Sequence, residues 1–155
     1  MPSETITKNG VLIVDSQTNM AALVATMLRA IGRRDLREAN DATTALAELR
    51  RRPFDIVILD DAITGSDAVD LVRRLRADTA CQNRSVPVIM MAAAPDAARI
   101  AAARDAGVTE FLRKPFAANH LKARLDTIES RPRNFIEAET YAGPDRRRRT
   151  EETIE

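Results

Sequence analysis

Cysteine and histidine are almost absent from this chain, with one of each among its 155 residues. A single cysteine, Cys81, excludes an intramolecular disulfide bond, and with no second cysteine or nearby histidine it forms no zinc or redox motif. His120 occupies a polar position of a predicted helix, where we expect an ordinary surface residue rather than a phosphocarrier or a metal ligand. These absences argue against disulfide-rich, zinc-binding and thiol-redox proteins.

Long apolar runs are missing too. No stretch reaches the roughly 18 consecutive apolar residues of a transmembrane helix, and none has the apolar centre of a signal peptide. The 24 basic and 23 acidic residues nearly cancel, so a formal net charge of +1 creates no overall field toward nucleic acid or a membrane surface. We therefore expect a cytoplasmic, bacterial-type protein with no membrane partner and with nucleic acid disfavoured as a partner.

Three sequence signatures of enzymes are also missing. The chain has no P-loop, no glycine-rich dinucleotide fingerprint and no Ser-His-Asp set in a plausible order. We therefore predict that the protein is not an enzyme that turns over a metabolite on its own.

What the chain does contain is a regular alternation of two apolar patterns, in a length suited to one domain. Short apolar runs predict strands at residues 11–14, 35–39, 56–59, 88–91 and 110–113. Apolar residues three and four positions apart follow each run and predict five helices, for which Asp41 and Asp96 are start signals and Gly32 and Gly107 are stop signals. The alternation implies right-handed crossovers and a parallel sheet covered on both faces, so the predicted fold class is a doubly wound α/β domain.

Asp15, Asp60, Ala92 and Lys114 stand at the carboxyl ends of predicted strands, where doubly wound domains bind ligands. Two carboxylates and an ammonium group suit phosphoryl transfer with Mg²⁺, a cation that prefers oxygen ligands. Asp60 ends the most apolar strand and is the candidate nucleophile, which would carry the group as an aspartyl phosphate. Lys114 would offset the added charge. The alternative is that Asp15 and Asp60 only cap the turns that follow them.

Three motifs, in this order and spacing, give the chain a resemblance to a known family. They are an apolar strand ending in Asp15, a second ending in Asp60, and the run Phe-Leu-Arg-Lys-Pro-Phe, which begins at Phe111 and contains Lys114. Over roughly residues 9–129 the chain resembles the response-regulator receiver domains of two-component systems.

The resemblance implies a flavodoxin-like (βα)5 fold with strand order 2-1-3-4-5. It also implies phosphorylation of Asp60 by a histidine kinase or phosphotransferase, with Mg²⁺ held by Asp15, Asp60 and the backbone carbonyl of Ala62. Lys114 would contact the phosphoryl group, and its peptide bond to Pro115 would be cis. Output would pass to a downstream protein through the face made by the fourth helix, the fifth strand and the fifth helix.

The chain departs from the family pattern at two functional positions. Ser16 replaces the second acid after the first strand, a direct metal ligand in the family, so we expect weaker binding of Mg²⁺. Asp61 is a possible substitute, although alternation along the strand points it elsewhere. Ala92 replaces the Ser or Thr that bonds the phosphoryl oxygen and couples to the aromatic position held here by Phe111. We therefore expect a damped switch through Ala92 and Phe111.

The region after the receiver motifs carries a cluster of arginines. The predicted organisation is a lead at residues 1–8, a receiver domain at 9–129 and an arginine-rich tail at 130–155. A run of four consecutive guanidinium groups could bind phosphates, as in a cyclic dinucleotide such as cyclic di-GMP or a nucleic acid; its members are Arg146, Arg147, Arg148 and Arg149. The alternatives are a solvated, disordered tail, or a segment that Phe135, Ile136 and Tyr141 attach to the domain or to a partner.

Three functional hypotheses follow. The first is a single-domain response regulator that is phosphorylated on Asp60 and, with no output domain expected, acts by binding a partner. The second is a phosphorylation-independent adaptor, which Ser16 and Ala92 favour. The third assigns nucleotide or nucleic-acid binding to the arginine run.

Overall fold

The computed structural model of the protein describes residues 9–138 and 141–145. The main domain alternates strands and helices in the order β1 Val11–Val14, α1 Thr18–Ala30, β2 Leu36–Ala39, α2 Ala42–Arg51, β3 Ile56–Asp60, α3 Ala68–Ala77, β4 Val88–Ala92, α4 Ala97–Ala106, β5 Glu110–Arg113 and α5 Ala118–Ser130. The alternation predicted from the sequence is confirmed. Within these ranges, no helix has the length and apolar character needed to cross a membrane.

The five strands of this domain form one parallel sheet in the order β2-β1-β3-β4-β5, which confirms the doubly wound fold and its strand order. Every residue of β1, β3 and β4 is buried, because helices cover both faces of the sheet. This explains why these three strands are continuous apolar runs in the sequence. Two of the four residues of the edge strand β2 are exposed, and its apolar pattern is correspondingly weaker.

Neighbouring residues of each central strand enter two different cores. Leu12 and Val57 pack with α2, α3 and α4 on one face of the sheet, whereas Ile13 and Ile58 pack with α1 and α5 on the other. The alternation of side chains along a strand thus divides the apolar residues between two layers. Because all the strands are parallel, the residues that follow them meet at a single edge of the sheet.

Residues after α5 form an antiparallel hairpin of β6, Phe135–Ala138, and β7, Tyr141–Pro144. Strand β7 contacts α3 and α4, and Tyr141 is buried with its hydroxyl donating to the carbonyl of Pro144 at 2.6 Å. A disordered tail is therefore wrong for residues 135–138 and 141–144, and the interpretation that apolar residues attach this segment to the domain holds for Tyr141. The boundary placed after residue 129 stays a prediction.

Beneath the hairpin lies a buried arginine, Arg76 of α3, which is 2% exposed. Its guanidinium donates to the carbonyls of Gly107 at 2.8 and 3.2 Å, Arg84 at 2.7 Å and Val86 at 2.7 Å. The ring of Phe135 lies 5.9 Å from the Arg76 guanidinium carbon. Burial lowers the pKa of Arg76 to about 10, so the side chain stays charged at neutral pH. The amino ends of β4 and β5 are thus joined by one cation bonded to carbonyls.

The lead at residues 1–8 and the run Arg146, Arg147, Arg148 and Arg149 lie outside the described residues. The proposed binding of cyclic di-GMP or nucleic acid by this run stays a prediction.

Candidate functional site

The sheet brings together three of the residues predicted from the sequence. Asp15 follows β1, Asp60 ends the neighbouring strand β3, and Lys114 follows β5. The Lys114 ammonium donates to Oδ1 of Asp60, and its Nζ lies 3.9 Å from Oδ2 of Asp15. The structure therefore places two carboxylates and one cation at the carboxyl end of the sheet. Their chemical roles remain predictions.

Both carboxylates are buried, with Asp15 2% and Asp60 6% exposed. Oδ2 of Asp60 accepts from the backbone nitrogen of Ala62 at 2.9 Å, and Oδ1 of Asp15 accepts from that of Gln17 at 2.9 Å. Oδ2 of Asp15 is buried without a hydrogen-bond partner. Burial raises the pKa of Asp15 because it penalises the charged carboxylate, and the negative charge of Asp60 acts in the same direction. The site therefore contains one carboxylate oxygen that a cation would satisfy.

The donor set fits a hard divalent cation with few protein ligands. The structure shows the unsatisfied oxygen of Asp15 and the carboxylate of Asp60, to which the N–H of Ala62 donates; the carbonyl of Ala62 stays a predicted ligand. Across residues 9–138 and 141–145, no group of three or more acidic, histidine or cysteine side chains could hold a metal. A cation such as Mg²⁺, which keeps several waters, suits this oxygen-only set better than Zn²⁺ does.

Ser16, which stands where the family has a second acid, is used in a hydrogen-bond cluster between loops. Its Oγ donates to the carbonyl of Asn40 at 2.9 Å, accepts from the backbone nitrogen of Thr64 at 2.8 Å, and lies 3.2 Å from Thr64 Oγ1. The carbonyl of Thr64 accepts in turn from the nitrogen of Ala42 at 3.0 Å. Ser16 therefore joins the loop after β3 to the loop after β2. No sequence pattern indicated the role of Thr64.

Asp61 points away from Asp60, as the alternation of the strand predicted, and pairs with Arg99 of α4. Oδ1 of Asp61 accepts from Arg99 Nη2 at 2.6 Å and from Arg99 Nε at 2.9 Å. The same guanidinium donates to Oδ1 of Asp67 at 2.9 Å, and Asp67 caps the amino end of α3. Hydrogen bonds to Asp61 are the main reason that the pKa of Arg99 is raised. Sequence reasoning missed Arg99, because its partner Asp61 lies 38 positions away.

The two predicted switch positions, Ala92 and Phe111, lie on the neighbouring strands β4 and β5. Ala92 ends β4 and offers no hydroxyl; its carbonyl accepts from the backbone nitrogen of Lys114 at 2.8 Å. Phe111 is partly buried on β5 and packs against the core formed with α2, α3 and α4. The peptide bond between Lys114 and Pro115 is cis, as the resemblance implied. A switching role for Ala92 and Phe111 is not tested by these contacts.

An apolar groove of about 450 Å³ opens beside Lys114. Its lining residues come from α1 and from the segments after β4 and β5, and include Met20, Leu23, Met27, Ala93, Pro115 and Phe116. Leu23 is 46% exposed and is the one large hydrophobic residue that is exposed in the described part of the chain. The site therefore has an apolar surface next to its charged groups.

The single histidine, His120, and the single cysteine, Cys81, lie outside the site. His120 is exposed, and its Nδ1 accepts from the backbone nitrogen of Ala117 at 3.0 Å, so the prediction of a surface residue is confirmed. Cys81 is partly buried, with its Sγ 3.4 Å from the carbonyl oxygen of Leu49.

Known proteins of one family are similar to this chain in sequence and in fold. The family model of the response regulator receiver domain matches residues 11–126. The chain is 37% identical over 121 residues to the chemotaxis protein CheY-3 of Vibrio cholerae, covering 78% of this chain and 92% of that protein. The receiver domain of Francisella response regulator 1452 is 25% identical, with a TM-score of 0.70, and the match covers 80% of this chain and 98% of that one.

A second solved structure shares the fold at lower identity. The receiver domain of the sensor histidine kinase PA1611 from Pseudomonas aeruginosa PAO1 is 24% identical, with a TM-score of 0.69, covering 77% of this chain and 96% of that one. That structure has a magnesium ion coordinated in its active site cleft.

Proposed function

Because this chain belongs to the response-regulator receiver family of two-component signalling, we propose that it accepts a phosphoryl group on Asp60 and signals by binding a partner protein. The donor would be a histidine kinase or a phosphotransferase. The observation that carries the proposal is the buried carboxylate of Asp60, which accepts from Lys114 at the strand ends where Asp15 keeps an unsatisfied oxygen.

The transfer would be a displacement at phosphorus. A carboxylate oxygen of Asp60 attacks the phosphoryl group of a donor phosphohistidine, an O–P bond forms, and the N–P bond breaks with its electron pair passing to the imidazole. The Ala62 N–H fixes the orientation of the Asp60 carboxylate. The Lys114 ammonium stays beside Asp60 and offsets the charge of the phosphoryl oxygens.

The same proposal assigns Mg²⁺ to Asp15, Asp60 and the backbone carbonyl of Ala62. When bound, the ion would reduce repulsion between the Asp60 carboxylate and the incoming phosphoryl oxygens. We expect weak binding, because the hydroxyl of Ser16 is engaged with other loops and two carboxylates remain. The magnesium ion in the Pseudomonas aeruginosa receiver domain supports the choice of cation.

Two surfaces are proposed for protein partners. The apolar groove that includes Leu23 lies next to Lys114 and is suited to the phosphodonor, whose phosphorylated side chain must come close to Asp60. The face of α4, β5 and α5, which includes Phe111, is proposed for the downstream protein.

Labelling with an acyl phosphate tests the phosphoacceptor. With acetyl phosphate and Mg²⁺, we expect intact-mass spectrometry to show one added phosphoryl group on the unaltered chain and none on Asp60→Asn. Asp61→Asn is the matched control, because it removes the neighbouring carboxylate that pairs with Arg99, and it should still be labelled. Continued labelling of Asp60→Asn would contradict the assignment.

The alternative candidate is an adaptor that works without phosphorylation, favoured by the absence of a hydroxyl at Ala92 and of a second acid at Ser16. The two candidates differ in their response to beryllofluoride, which with Mg²⁺ mimics an aspartyl phosphate. A phosphorylated receiver should show amide chemical-shift changes beyond the site, on α4 and β5. An adaptor should show none there, even when the mimic binds at Asp60.

A further inference from the structure

Helix α4 is held in different ways at its two ends. At its carboxyl end Gly107 has φ +113°, and its carbonyl accepts from the buried Arg76. A Cβ added at Gly107 would lie 2.9 Å from Cγ of Arg76, and one added at Gly143 of β7 would lie 2.9 Å from the Cα of Gly107. This end of α4 is thus packed between the hairpin and α3 with no spare space.

The amino end of α4 is held mainly by charge. Asp96 caps the helix by accepting from the backbone nitrogen of Arg99 at 2.8 Å. The side chain of Arg99 then bridges Asp61 and Asp67, and it remains 28% exposed. A partly exposed ion pair rearranges far more readily than a close-packed glycine contact.

The carboxylates that Arg99 bridges belong to the loop that follows Asp60. Asp61 is the next residue along the chain, and Asp67 closes the loop as the cap of α3. A phosphoryl group on Asp60 adds negative charge at the start of this loop. Ala92 has no hydroxyl with which to respond, and Ala93 and Ala94 in the segment before α4 have no polar side-chain atoms. Arg99 is a cation of α4 already bonded to this loop.

We propose that Arg99 is a positioning residue that couples the state of Asp60 to α4, in place of the hydroxyl that Ala92 lacks. A change in the loop alters how the guanidinium is shared between Asp61 and Asp67, and the first turn of α4 follows. Because Gly107 is fixed beneath the hairpin, the helix pivots about its carboxyl end. This inference rests on the proposed function, since it requires a modification at Asp60.

The test compares amide chemical shifts of the full chain before and after Mg²⁺ and beryllofluoride. In the unaltered protein, we expect changes at the site, at Asp61 and Ala62, and in the first turn of α4, residues 97–100. In Arg99→Gln the site changes should persist, whereas the change in that first turn should fall by at least half. Arg99→Lys keeps the positive charge but not the planar guanidinium that bonds two carboxylates at once, so its response in the first turn of α4 should exceed that of Arg99→Gln. Arg104→Gln, an exposed arginine in the last turn of α4, is the matched control and should behave as the unaltered chain.

Each result separates the inference from the function on which it rests. If the mimic changes no amide at the site of the unaltered protein, both are overturned. If the first turn of α4 responds equally in Arg99→Gln, coupling through Arg99 is overturned and the proposed function stands. If the site of the unaltered protein responds but that turn does not, the coupling is overturned and the adaptor is favoured, although Asp60 still accepts the mimic. A loss confined to α4 in Arg99→Gln, with partial recovery in Arg99→Lys, supports the inference.

Discussion

Two largely buried cations stand at opposite ends of the same sheet. Lys114, at the carboxyl ends of the strands, donates to Asp60 and lies near Asp15, where one buried carboxylate oxygen has no partner. Arg76, at the amino ends of β4 and β5, donates four hydrogen bonds to backbone carbonyls. The first cluster is electrostatically incomplete and the second is satisfied.

This difference in hydrogen-bond partners distinguishes a candidate binding site from a cluster that only stabilises the fold. A buried polar atom without a partner costs free energy, and such atoms persist where a ligand completes the site. A buried arginine bonded to carbonyls instead joins distant segments of the backbone and offers nothing to a ligand. Burial of a charged side chain therefore does not identify function until its partners are known.

The largest expected effect comes from removing the structural cation. Arg76→Met should lower the free energy of unfolding by about 3–5 kcal/mol, because it fills the space but removes four hydrogen bonds to the carbonyls of Gly107, Arg84 and Val86. Urea denaturation would measure the loss. Arg74→Met, an exposed position on the same helix, should change stability by less than about 0.5 kcal/mol. Equal losses of stability in the two variants would show that Arg76 does not stabilise the fold by linking backbone segments.

An intermediate loss of stability should come from adding a side-chain atom next to Arg76. Gly107→Ala places a Cβ 2.9 Å from Cγ of Arg76 at φ +113°, whereas Gly32→Ala meets no atom within 4 Å at φ +98°. Both substitutions strain the backbone, at a cost of about 1 kcal/mol, and Gly107→Ala should cost roughly a further 1–2 kcal/mol through the contact. Thermal or urea unfolding of both variants measures the difference. Equal losses would mean that α4 is not tightly packed at this end.

The smallest effect, opposite in sign, is expected at the incomplete site. Asp15→Asn should raise the free energy of unfolding at neutral pH, because a raised pKa means that the folded state disfavours the ionised carboxylate. The substitution should also abolish stabilisation by Mg²⁺, which for the unaltered chain reaches about 1.4 kcal/mol at ten times the dissociation constant.

Unfolding followed with and without Mg²⁺ measures both quantities. Asp70→Asn, an exposed acid of α3, serves as the control and should retain the response to Mg²⁺. An Asp15→Asn protein that is still stabilised by Mg²⁺ would place the cation elsewhere.

The sequence predicted most of the sheet and the three charged groups of the site. Central strands are buried on both faces, so β1 and β3 appear as uninterrupted apolar runs, and their ends mark the edge where Asp15 and Asp60 meet. The apolar pattern of the edge strand β2 is weak, because two of its four residues are exposed. The cis bond before Pro115 came from the family resemblance, not from the pattern of residues.

Local patterns did not reveal the residues that link elements far apart along the chain. Arg99 lies within an alanine-rich helix with nothing to indicate Asp61, and the position of Ser16 after β1 does not indicate that its hydroxyl bonds Asn40. Arg76 occupied one turn of an amphipathic helix without a carboxylate partner to suggest its burial. In each case the partner is chosen by the packing of loops, which periodicity does not encode.

The sequence by itself thus determined the doubly wound sheet and the convergence of Asp15, Asp60 and Lys114, because both follow from apolar periodicity and from the common direction of parallel strands. Only the tertiary structure decided that residues after α5 fold back as a hairpin over Arg76, and that Arg99 joins α4 to the loop after Asp60. Arg99 and Asp61 are 38 positions apart, and Phe135 lies still farther along the chain from Arg76. These contacts depend on which surfaces meet when the layers pack, and that information is not carried by any local stretch of residues.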